Sequence, residues 1–160
     1  MIAVTGGKMK QIIIALAALG FAMPAAAQAP APVPAPSLEL AQKAAKAAFK
    51  ACKGTPIAVA VLDSTAQPRL LLLGDGVNSR MGGFAVRKAA TALRYHKPSA
   101  ETRDEAKTNP ALAAEIKADP ALIPFGGGLL FTKGAVAVAG APKQETDILC
   151  AEAAKAVLER

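Results

Sequence analysis

Leu129-Leu130-Phe131-Thr132-Lys133-Gly134-Ala135-Val136-Ala137-Val138-Ala139 decides the fold class. Two apolar runs, Leu129–Thr132 and Ala135–Ala139, flank Lys133-Gly134. A two-residue connection with Gly where positive φ is needed marks a β-hairpin. Upstream, Ile57–Leu62 is a continuous, β-branched-rich run ending at Asp63, the pattern of a strand buried on both faces. Ser64–Pro68 reads as a short turn into which Asp63 hydrogen-bonds. Arg69–Leu73 then lies at the right distance for an antiparallel partner, and Gly74-Asp75-Gly76 breaks it.

Helical signals surround these strands. Ser37 is placed to cap a helix with Glu39 in its first turn and Lys50 and Lys53 at its end, stopped by Gly54. Ser79 to about Tyr95 predicts a second helix, weakened at its start by Gly82-Gly83 and closed by Pro98. Ser99–Lys107 predicts a short polar helix. Asn109-Pro110 has the cap-and-first-turn form of another, and Asp119-Pro120 repeats it on a smaller scale. Pro124 and Gly126–Gly128 exclude regular helix. The three glycines suit an irregular start to a strand where backbone comes close, or a nest of amides for an anion. Gly140–Lys143 leads into a last helix with Glu145 and Asp147 in its first turns and Arg160 at its end. Helix, strand pair, helical middle, hairpin, helix is the order of an α+β sandwich, with an antiparallel sheet covered by the helices of both chain ends.

The N-terminal segment reads as an export signal. Lys8 and Lys10 precede the apolar run Ile12–Met23, and Ala25-Ala26-Ala27 before Gln28 supplies the small-residue cleavage pattern. Met9 is an alternative start. The run is short for a membrane span and no second long apolar stretch follows, so residues 1–27 are expected to be a signal peptide with no membrane span left after its removal. The expected location is periplasmic or secreted. Residues 28–36 form an Ala/Pro-rich linker suited to an extended spacer, and residues 37–160 form the folded domain. Cleavage would leave 133 residues, enough for one core, and would lower the formal charge from +7 to +5 by removing Lys8 and Lys10. These cations are scattered among acids. With no Trp, one Tyr and no RNP-like or Cys/His motif, nucleic-acid binding is excluded. The charge suits solubility or an anionic ligand.

Ala41, Ala45, Ala48, Phe49 and Cys52 share one face of the first helix, and Cys150, Ala153, Ala154 and Val157 share one face of the last. In an exported protein two such cysteines most simply form one Cys52–Cys150 disulfide. The alternative is two independent buried thiols. A metal site lacks the neighbouring His or Cys that would complete it.

Taken in order, several segments resemble a known family. They are the Gly54–Asp63 strand, the Gly74-Asp75-Gly76 loop, the helix with Arg87-Lys88-Ala89-Ala90-Thr91-Ala92, and Phe125-Gly126-Gly127-Gly128-Leu129-Leu130. The Lys133-Gly134 turn, Gly140-Ala141, and Asp147 with Cys150-Ala151 follow. The series is similar to the haem-binding or haem-degrading GlcG/HbpS-like family over about Leu38–Leu158. The resemblance implies a profilin-like α+β sandwich with a central antiparallel sheet, assembly into a homo-oligomer, and haem, or a similar flat anionic molecule, as ligand. Two departures stand out. The usual Gly-x-Ile-Gly-Val-Ser-Gly strand is Ala135-Val136-Ala137-Val138-Ala139-Gly140 here, and the first helix contains no His to ligate iron.

Within that expectation His96, the lone histidine, is the only strong nitrogen donor for haem iron. Tyr95 is an oxygen alternative, and Arg87, Lys88 or Arg94 would pair with propionates. Met81, Phe84, Lys88 and Tyr95 share a helix face that would line a flat apolar pocket. The plainer readings are a charged surface histidine at a helix C-terminus and an ordinary core stripe. No Gly-x-Ser-x-Gly elbow, His-Glu-x-x-His or Walker loop occurs, and Asp63, Asp75 and Asp147 are dispersed. The expected function is non-enzymatic haem sequestration or sensing. The rivals are haem degradation driven by iron and peroxide, an enzyme-like reaction on a small metabolite, and an oligomerisation module without ligand.

Overall fold

The computed structural model describes residues 34–160. The expected signal peptide and most of the linker lie outside the described residues. Ser37 caps helix α1 (Leu38–Ala51), its Oγ accepting the Leu40 N–H at 3.2 Å. Gly54, at φ +84°, turns the chain out of the helix and towards the sheet. Strands β1 (Ala58–Asp63) and β2 (Pro68–Leu73) follow, then helices α2 (Arg80–Tyr95), α3 (Ser99–Ala106) and α4 (Pro110–Ala118). Strands β3 (Gly128–Phe131) and β4 (Gly134–Ala139) lead to helix α5 (Gln144–Leu158). One antiparallel sheet has the order β2-β1-β4-β3. The expected α+β class holds.

Side-chain size alternates along the two central strands and sorts the layers. Val59, Val61, Val136 and Val138 point to one face, where α1 and α5 cover them. Ala58, Ala60, Ala135, Ala137 and Ala139 point to the other, where α2 lies on them through Ala85, Ala89 and Ala92. All are buried. Alanine against alanine lets the α2 backbone come close, the kind of tight fit that protein interiors favour. α1 and α5 are joined by the expected Cys52–Cys150 disulfide, with Cα atoms 5.8 Å apart.

Two expectations need correction. The hairpin connection is Thr132-Lys133, with Gly134 already paired to Phe131 and Asp63 as the first residue of β4. Glycine is needed there because a Cβ would meet the Leu62 carbonyl oxygen. Asp119-Pro120 starts no helix. Asp119 Oδ1 instead accepts the Ala121 N–H at 2.8 Å, closing a turn. At the start of α2, Asn78 Oδ1 accepts the Arg80 N–H at 2.9 Å.

Candidate functional site

Helix α2 carries every residue proposed for a ligand except its own C-cap, and it distributes them over four places. At its N-terminal half, Met81, Phe84 and Lys88 line a cleft with Phe125, Gly140, Gln144 and Asp147. The cleft encloses about 240 Å³. Lys88 lies on the alanine stripe of α2 at 3–4 spacing from Ala85 and Ala92, so it is driven into the interior and is 3% exposed. Its Nζ donates to Asp147 Oδ2 at 2.7 Å and to the Val138 carbonyl at 3.0 Å. Asp147, 4% exposed, accepts the Ala141 N–H on its other oxygen at 3.0 Å. Burial pulls the Lys88 ammonium below its ordinary range, against the opposing pull of Asp147. Lys88 is therefore already charge-paired rather than a free propionate partner.

The glycines of 126–128 make room for this pair. A Cβ on Gly128 would meet the Lys88 carbonyl oxygen, and one on Gly127 would lie 2.9 Å from Asp147 Cβ. Close backbone approach, not anion binding, accounts for these glycines. Ser99 ties the same corner together, accepting the Gly128 N–H at 2.9 Å and donating to the Phe125 carbonyl at 2.6 Å.

Arg87 faces a second hollow. Its guanidinium donates to the Leu122 carbonyl at 2.8 Å and lies 5.9 Å from the Phe84 ring centroid. Tyr95 does not share the Met81–Phe84 cleft. It packs with Leu112, Ile116 and Leu122 under α4, and burial together with the Glu115 carboxylate pushes its hydroxyl pKa up. A phenol so placed is poorly disposed to become a phenolate ligand.

His96 is the left-handed C-cap of α2 (φ 52°), and its exposed imidazole borders a shallow depression of about 470 Å³. Ala66, Ala90, Leu93 and Leu122 supply an apolar floor, with Arg94 at the rim. The Ser64–Ala66 wall is held by Asp63, which accepts from the Thr65 N–H, the Thr65 hydroxyl and the Gln67 N–H at 2.7–3.0 Å. Burial alone would raise the Asp63 pKa, but these bonds and nearby Arg69 leave it below the ordinary carboxylate value. Along the helix His96 is ~12 Å from Lys88 and ~18 Å from Phe84. The structure thus separates the histidine from the aromatic cleft. The Lys88–Asp147 pairing, 59 residues apart, escaped the sequence reading. Its signal was a charged residue within each helix's buried stripe: Lys88 among Ala85, Ala89 and Ala92, and Asp147 at 3–4 spacing from Cys150, Ala151 and Ala154.

A family model described as "Haem degrading protein HbpS-like" matches residues 37–156. The chain is similar to the crystal structure of HbpS, at 33% identity over 79% of this chain and 92% of that one, with a TM-score of 0.71. A double mutant of Streptomyces reticuli HbpS is 32% identical over 87% of this chain and 99% of the other, with a TM-score of 0.74. The fold is also that of PduOC, solved as a haem complex, at 22% identity over 77% and 94% of the two chains and a TM-score of 0.68. No curated protein sequence matches at a significant level.

Proposed function

Because this chain belongs to the HbpS-like haem-degrading protein family, we propose that it is an exported haem-binding protein that sequesters or senses haem without needing a protein acid–base pair. The carrying observation is the His96 depression, which combines an exposed imidazole, an apolar floor and the Arg94 guanidinium in about 470 Å³. Those residues fit a haem: His96 would supply a nitrogen donor to the iron, and Arg94, whose Nη2 reaches the exposed Glu115 carboxylate at 3.3 Å, would pair with a propionate. The bound iron would supply any redox chemistry. The Met81–Phe84 cleft, at about 240 Å³, is smaller than ligand pockets usually are and holds a cation already neutralised by Asp147.

Export to the periplasm or medium is supported by the leader pattern and by the Cys52–Cys150 bridge, which persists in oxidising compartments. Homo-oligomer formation is supported by β2, an edge strand with Leu71, Leu72 and Leu73 exposed at 42%, 37% and 45%. Such an edge invites pairing, and light scattering on the mature protein reads the assembly.

Hemin titration of the mature protein tests the ligand reading. A sharpened Soret band lost in His96→Ala supports it, and a spectrum identical to free hemin removes it. The family's description favours degradation as a second reading. Bleaching of the bound haem by peroxide with release of iron would support that one.

A further inference from the structure

The Lys88–Asp147 pair is more than packing requires. Taking both ions out of water is costly, and well-packed apolar side chains in their place would often hold the helices as well or better. Yet the chain clears space for the pair with glycines at 127 and 128 and leaves both side chains on the wall of an open cleft. Nζ uses two of its three N–H donors, on Asp147 and Val138. Among the described residues no other acceptor holds the third. Gln144, also on the wall, spends its Oε1 on the Gly126 N–H at 2.7 Å and on Arg103 at 2.8 Å, which leaves its amide NH₂ to donate. Met81, Phe84 and the 45%-exposed Phe125 supply apolar walls.

An amine beside a carboxylate in an apolar cleft, with an amide donor nearby, is a constellation for carbonyl compounds. We infer that Lys88 forms an imine with small aldehydes or 2-oxo acids entering the Met81–Phe84–Phe125 cleft. Asp147 takes a proton from the Lys88 ammonium, a transfer favoured where charge is poorly solvated. The neutral Nζ attacks the carbonyl carbon. A C–N bond forms, the C=O π pair moves to oxygen, and that oxygen gains the proton from Asp147. The nitrogen then loses a proton to Asp147, which returns it to the departing hydroxyl. One water leaves, the C=N bond is complete, and nothing is oxidised or reduced. Desolvated lysines are activated for this step.

The test uses the intact, disulfide-bonded protein with pyruvate and, separately, benzaldehyde as probes, quenched with borohydride to fix any imine as a secondary amine. Peptide mass spectrometry locates the adduct. The expected result is one dominant adduct on Lys88, formed at least tenfold faster than the mean of the surface lysines. Asp147→Asn should slow it about tenfold relative to those same lysines, an internal ratio that general loosening of the fold would not lower. Labelling of Lys88 no faster than the surface lysines in the unaltered protein overturns the inference. Hemin binding is read on the same sample, so loss of one reading leaves the other standing.

Discussion

The two ends of helix α2 differ in kind. Around Lys88 the helix is pressed onto an alanine face, Nζ is held by Asp147 and Val138 from two other elements, and the cleft is small. Around His96 the helix stops in a left-handed residue, the imidazole is exposed, and the neighbouring hollow is wide and shallow. A buried charge needs a complete set of partners, whereas an exposed one needs none. The first end therefore bears on stability, whatever its small cleft admits, and the second hardly at all. Substitutions along α2 can break that contrast or sharpen it.

The largest effect is expected from Lys88→Met. It leaves Asp147 buried without its cation and should cost about 3–5 kcal/mol, read by urea denaturation of the non-reduced protein. A loss below about 1 kcal/mol would erase the distinction between the two ends. Next comes Thr91→Val, midway along the helix. Thr91 Oγ accepts the buried Ile123 N–H at 2.8 Å and lies 2.8 Å from the Arg87 carbonyl. Losing it should cost about 1–3 kcal/mol in the same measurement.

How far these ends were legible follows from the range of each interaction. The hairpin, the β1–β2 pair and the Asn109 cap rest on neighbours a few residues apart, and local sequence shows them. The turn register slipped by one because Gly134 looked like a turn glycine, while its role is to admit the carbonyl of Leu62, 72 residues earlier. The disulfide was readable because each cysteine shares a face with the buried alanines of its helix and export was expected. The grouping of His96 with Phe84 was not, since sharing a helix does not fix which hollow each residue borders. The Val and Ala faces of β1 and β4 lay in plain view as a period-two alternation, but both residue types count as apolar, so a binary pattern hides it.

Acid should touch the His96 end through Asp63. Its carboxyl titrates below the ordinary value of about 3.9 in the folded chain. Its contribution is therefore fully present above the unfolded pKa and is lost as pH falls through the folded one. The advantage of the native chain over Asp63→Asn should be about 1–2 kcal/mol at neutral pH and shrink on acidification below about pH 4, as denaturation at several pH values would show. Smallest of all is His96→Ala, expected to shift stability by less than about 0.5 kcal/mol while removing the Soret response to hemin. A loss of several kcal/mol would instead make His96 a structural residue and reverse the contrast.

The bridge from Cys52 to Cys150 closes a covalent ring around the whole sheet and the α2–α4 segment. A single nick at an exposed site such as Lys133, in the Thr132-Lys133 turn, would open the polypeptide without releasing either fragment. Trypsin-clipped protein should then run as one band without reductant and as two with it. Exported as proposed above, such a molecule would meet proteases without access to repair, and could be cut once and remain a single particle.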